Sequence, residues 1–303
     1  MTTPADLSHQ HHARLLHLAS TASVLVATSL LLIKAYAWWI SGSVSLLAAL
    51  ADSALDALAS LLNFAAVRYS LQPADAEHRF GHGKAESLAG LGQSLFIMGS
   101  AVFLLVRAID RMRHPQPLEQ LDVAVGVMLV SILMTFGLVW YQRRVIAQTQ
   151  SPAIQADSLH YLSDLLTNTG VIVALLLSWA GWQQVDPILA IAIALYIFYT
   201  AVRIWNQSIQ LLLDRELPEE EQRRIEAIAL RQKEVLGVHG LRTRQSGHVK
   251  IVQLHVELDG NMPLALAHRI CDQIEADIRR EFPNADVLIH QDPFRGGARS
   301  EVS

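Results

Sequence analysis

The sequence predicts an α-helical membrane protein of six transmembrane helices followed by a small soluble α/β domain. Of its 303 residues, 51% are hydrophobic and only 17% are charged, against about 25% charged in an ordinary soluble domain. The apolar excess lies before residue 214, whereas charges crowd the segment from Asp214 onward. After Leu213 the long apolar runs give way to short amphipathic ones, which separates two parts of the chain. The net charge of −4 comes without a basic stripe, so nucleic acid is not an expected partner. The single cysteine, Cys271, excludes an intrachain disulfide, and nothing points to an oxidising compartment.

A spanning helix needs about 20 mostly apolar residues, and six windows provide them. Residues 1–14 carry His9, His11 and His12 rather than a basic patch leading into a short apolar run. They read as a flexible cytoplasmic tail, not a signal peptide. The first helix is expected from Leu15 to Ile40, interrupted by Lys34, and Ser41-Gly42-Ser43 is a tight turn. The second runs from Val44 to Tyr69, and a polar loop extends from Gln72 to Glu86. The third covers Leu88 to Ile109, with Pro115 and Pro117 marking the next loop. The fourth covers Val123 to Tyr141, before Arg143-Arg144, and the fifth Ala153 to Ala180. Asp186-Pro187 supplies a cap and a first-turn proline for the sixth, which ends near Leu213. An even number of crossings puts both ends on one side. Arg14, Arg68, Arg79, Lys84, Arg143 and Arg144 border that side, against Arg107, Arg111 and Arg113 on the other. The excess places both termini in the cytoplasm.

The soluble part, residues 214–293, reads as αββαβ. Pro218 to Lys233 is an amphipathic helix with Glu219, Glu220 and Glu221 in its first turn, favourable at the positive end of the helix dipole. A strand from His239 to Arg244 follows. In the next, Val252, Leu254, Val256 and Leu258 share one face and Gln253, His255 and Glu257 the other. A helix from Pro263 to Phe282 and a strand from Ala285 to His290 complete a small, mainly antiparallel sheet with its helices on one face. Residues 294–303 are expected to be a disordered tail.

The chemistry-bearing residues begin inside the membrane. Asp52 and Asp56 lie four apart on the second helix, and His160 and Asp164 repeat that spacing on the fifth. Each pair therefore shares a face one turn apart. Ionisable groups at that depth cost about 2.5–3.5 kcal/mol each on insertion scales, so they mark an ion path or a paired site. A divalent ion between the two helices would relieve the repulsion of the carboxylates. Three oxygens and one imidazole nitrogen suit tetrahedral Zn2+, and a set so rich in oxygen also admits Fe2+, Cd2+ and Mn2+. The loop residues Asp75, His78 and His82 are spaced closely enough to fold around one ion. His290 and Asp292, two apart on a strand, face the same way.

The stretches Ala51-Asp52-Ser53-Ala54-Leu55-Asp56 and Asp157-Ser158-Leu159-His160-Tyr161-Leu162-Ser163-Asp164, with the loop Phe80-Gly81-His82-Gly83-Lys84-Ala85-Glu86, resemble signature segments of the cation diffusion facilitators. The likeness is closest to the bacterial ferrous-iron and zinc efflux pumps, and it extends to His290-Gln291-Asp292-Pro293. The resemblance implies a homodimeric, proton-coupled exporter of zinc or ferrous iron in the inner membrane, not an enzyme, with a metallochaperone-like cytoplasmic domain. It implies that Asp52, Asp56, His160 and Asp164 form the transport site and that Asp75, His78 and His82 form a second, surface site. It further implies a binuclear cytoplasmic site of His239, His255, His268, His290 and Asp292, with Gln291 acting through water. Lys84 and Asp214 match an ion pair near the membrane boundary, and Leu159 matches a hydrophobic gate.

Metal needs deprotonated ligands, so loading would release protons; His160 is the expected proton carrier, because an unperturbed imidazole titrates at about pH 6.5. The rival readings are a membrane metalloprotease, a metal sensor and a passive channel. The His-Glu-x-x-His motif that a metalloprotease commonly uses is absent from the sequence.

Overall fold

The structure, a computed structural model, describes residues 4–42, 44–113, 122–179 and 185–294. The loop expected around Pro115 and Pro117 and the tail expected beyond residue 294 lie outside the described residues. The chain divides into two compact units, one over His12–Leu212 and one that includes Leu213 onward.

The first unit is a bundle of six long helices: α1 (Pro4–Ser41, in this unit from His12 on), α2 (Val44–Ser70), α3 (Lys84–Arg113), α4 (Asp122–Thr149), α5 (Pro152–Trp179) and α6 (Val185–Leu212); the tail expected to be flexible is helical from Pro4 on. Among the described residues, five helices are long and apolar enough to cross a membrane, namely all but α5. The sixth expected span, α5, is 28 residues long and interrupts its apolar run with Asp157, His160 and Asp164. At most a third of each recognised span is buried within the chain. Large side chains such as Leu25, Leu32, Trp39, Phe103 and Leu133 stay exposed, as helices facing lipid require.

Turn chemistry sets the corners. Gly42, at φ +61°, ends α1 in the left-handed region that glycine adopts at little cost, and its N–H donates to Trp38 O at 2.8 Å. Between α4 and α5, Gln150 takes φ +53°. Ser151 then caps α5 by accepting from Ile154 N–H at 3.2 Å, and Pro152 occupies the first turn, where its missing N–H is harmless. α5 runs through the middle of the bundle. Its Ala153 and Ile154 pack with Leu16, Ala19, Val67 and Val145. Ala156 and Leu159 pack with Ile97, Ile197 and Ala201, and Tyr161 packs with Ala27, Leu138 and Val139.

The second unit has the expected αββαβ order: α7 (Glu219–Ala229), β1 (Gly237–Ser246), β2 (Val249–Leu258), α8 (Leu264–Glu281) and β3 (Ala285–Pro293). The sheet order is β1-β2-β3. β1 pairs with β2 antiparallel, but β2 pairs with β3 in parallel, so the sheet is mixed rather than mainly antiparallel. The cause is α8, whose crossover returns the chain to the end from which β2 started. Val252, Leu254, Val256 and Leu258 form one buried face as their alternation predicted, packed on Ile225, Ile228, Ile270, Ile274 and Ile278 from the two helices.

Candidate metal centres

Three clusters of potential metal ligands occur among the described residues. In each, the donor atoms lie within 4.8 Å of one another.

The first lies between α2 and α5 and unites Asp56, His160 and Asp164. His160 Nε2 approaches Asp56 Oδ1 to 3.1 Å, yet it is buried and out of hydrogen-bonding alignment with any partner. Phe96 and Tyr161 ring the imidazole with centroids at 6.3 and 5.5 Å. A buried nitrogen without a hydrogen bond, facing two carboxylates, is a donor set arranged for a cation. Asp52 stands apart from this group: it is exposed, although its charge, like that of Lys34, bears on Asp164.

One residue that sequence reasoning passed over lies a turn before His160. Asp157 is fully buried and accepts hydrogen bonds from Ser23 of α1, from Gln142 of α4 at 2.7 Å and from Gln93 of α3 at 3.4 Å. Gln142 also donates to Ser23 Oγ at 2.9 Å. Asp157, His160 and Asp164 follow a three-then-four spacing, the mark of one helix face, and that signal was available in the sequence.

The second cluster is the loop before α3. Asp75 Oδ2 lies 3.3 Å from His82 Nε2, and Asp75 Oδ1 lies 3.5 Å from His78 Nδ1. Asp75 also accepts the backbone N–H groups of His78 at 2.6 Å and Glu77 at 2.9 Å, so one carboxylate both shapes the loop and faces the imidazoles. The His78 backbone bond is the main reason its carboxyl sits below the usual range; burial opposes the shift, and the Glu77 N–H, His82 and His78 reinforce it. His82 is buried under Tyr69, with ring centroids 4.6 Å apart, and its Nδ1 has no hydrogen-bond partner.

The third cluster crosses the sheet of the second unit. His239, His255 and His290 are register partners on β1, β2 and β3, so three imidazoles stand side by side on the face opposite the core. Asp292 is their hub. It accepts from His255 Nδ1 at 2.8 Å and lies 3.3 Å from both His239 Nε2 and His290 Nε2. Burial works to raise the Asp292 carboxyl, but the bond from His255 and the charges of His255, His290 and His239 outweigh it and hold it low. Glu257, unassigned by the sequence reading, approaches His239 to 3.8 Å; its place two residues after His255 on one strand was the available clue. A bulge makes room for the group. The register shifts between His239 and Arg242, and Gly240 there, at φ +61°, would put a Cβ within 3.0 Å of the His255 ring.

His268 does not join this cluster. It is exposed on α8 and pairs with Asp272 at 3.7 Å. Asp214 accepts from Arg244 at 3.3 Å, and Lys84 donates to the Leu212 carbonyl at 3.3 Å.

Comparison with known proteins agrees along nearly the whole chain. Residues 20–213 match the cation efflux transmembrane domain, and residues 217–294 match the cytoplasmic domain of cation efflux proteins. The cation-efflux pump FieF of Klebsiella pneumoniae subsp. pneumoniae is 51% identical over 285 residues, covering 94% of this chain and 95% of that one. The cation-efflux pump FieF of Citrobacter koseri is 49% identical over 299 residues, 97% and 100% of the two chains. A solved CzrB chain in its zinc form is 35% identical, covering 28% of this chain and 99% of that one, with a TM-score of 0.26.

Proposed function

Since this chain belongs to the cation efflux family of membrane transporters, we propose that it exports divalent transition-metal ions, Zn2+ or Fe2+, in exchange for protons by alternating access. The observation that carries the reading is the meeting of Asp56, His160 and Asp164 between α2 and α5, where bare carboxylates would be costly without a cation. The cargo ion takes Asp56, Asp164 and the buried His160 Nε2, with Asp52 one turn along α2 as the fourth ligand. Ligands must shed protons to bind it, so loading in the cytoplasm releases protons and protonation from outside expels the ion.

The protein is proposed to lie in the bacterial inner membrane with both termini cytoplasmic and to work as a homodimer. In the cytoplasmic unit the imidazoles and carboxylate fit resident Zn2+, held by His239, His255, His290 and Asp292 as a regulatory site. The loop group Asp75, His78 and His82 is a further, more exposed candidate.

The test is reconstitution in vesicles offered Zn2+, Fe2+, Cd2+ and Mn2+ in turn, with internal pH recorded during uptake. Zinc and ferrous iron are expected to drive opposing proton movement, and Asp56→Ala is expected to abolish it. Native-rate transport by that variant would show that the ion passes elsewhere.

A further inference from the structure

The first apolar span contains a lysine, Lys34, at a place where an ammonium group is costly. Its Nζ donates to Ser53 Oγ at 2.6 Å. Ser53 is buried on α2 and stands between Asp52 and Asp56 in sequence. The charges that bear on Asp164 are those of His160, Asp56, Lys34 and Asp52. A fixed monocation, carried by a third helix that contributes none of the candidate ligands, is thus built into the acidic group.

Deepening the transport reading above, and resting on it, we propose that Lys34 is the resident counter-ion of the transport site and competes electrostatically with the cargo. Counted over the proposed ligands and Lys34, the charges balance; Asp157 is occupied by Ser23, Gln93 and Gln142 and is not among the ligands. With a neutral imidazole, the carboxylates of Asp52, Asp56 and Asp164 are matched by one dication together with one ammonium. A monovalent ion would leave the group negative and a trivalent one would leave it positive, so the lysine sets the cargo charge at two. It also lowers the attraction that the emptying site exerts on the departing ion, which keeps release fast. Its bond to Ser53 holds the charge near the acids without making it a ligand.

The experiment measures Zn2+ binding and Zn2+ uptake in the full-length protein, with Asp56→Ala used to subtract binding at other sites. Lys34→Gln and Lys34→Met are expected to bind Zn2+ about tenfold more tightly or better, with a lowered half-saturating concentration and a slower maximal uptake. Lys34→Arg is expected to behave like the native protein. Ser53→Ala, which removes the tether but keeps the charge, is expected to stay within about threefold of native affinity. A lysine needed only for packing would give the opposite sign, so neutral variants that bind with native or weaker affinity overturn the proposal. So does a chain that folds with arginine at position 34 but with neither neutral residue, since the charge would then serve the fold. Should the native protein itself move no metal, or Asp56→Ala change nothing, the transport reading is what fails.

Discussion

At the scale of single residues, the distinction that matters is between side chains that merely share a helix face and those that share a level. Asp52 and Asp56 were legible as a pair from their spacing, but one helical turn is about 5.4 Å. Asp56 stands opposite His160, at 3.1 Å, which sets Asp52 a turn further along the site. Likewise His268 carried the right chemistry, yet α8 turns it to Asp272. The composition of neither neighbourhood reveals that choice, because it depends on how helices rotate against one another. Asp157 is the converse case, a residue whose neighbours come from three other helices and are invisible from its own. Asp157→Leu would leave Ser23, Gln93 and Gln142 facing an apolar side chain. Leaving buried donors unmet is expected to cost about 2–4 kcal/mol, read as a lowered melting temperature in detergent, with Asp157→Asn falling less. Gly240→Ala combines a left-handed backbone with crowding of His255. It should cost about 1–2 kcal/mol and weaken Zn2+ binding by the sheet cluster, as titration of the variant would show.

At the scale of elements, the helices and strands were legible because burial imposes its period on the sequence, while strand direction was not. The alternation in β2 predicts its buried face, but only the length of α8 decides that β3 returns in parallel. That helix is held by its isoleucine stripe: Ile274 is fully buried, so Ile274→Ala is expected to lower the stability of the cytoplasmic unit by about 2–5 kcal/mol, measured by urea unfolding. The strand ends bear on acid stability. Asp292 is held below the usual carboxylate range, so its contribution is complete above the unfolded value, about pH 4. That contribution is lost as pH falls through the lower folded value. Asp292→Asn should therefore destabilise the metal-free unit at pH 6 and have a diminishing effect as pH approaches 3; an equal loss at both values would mean that the ionised carboxyl is not what stabilises the sheet end.

At the scale of the whole molecule, the chain keeps two bodies with separate cores, and that division was plain from where its charges lie. The candidate clusters fall in both, so metal binding in one should be measurable without the other. A zinc titration of the segment from Asp214 onward is expected to saturate and to raise its melting temperature, as any ligand selective for the folded state must; no binding would remove the regulatory role assigned to His239, His255, His290 and Asp292. In the membrane unit, the bonds that converge on Asp157 fasten α5 to α1, α3 and α4 at one depth. A rod clamped at one point can swing but not slide. While those bonds last, any motion of α5 pivots there, and His160, one turn away, travels only a short arc while the far end of the helix sweeps a wide one.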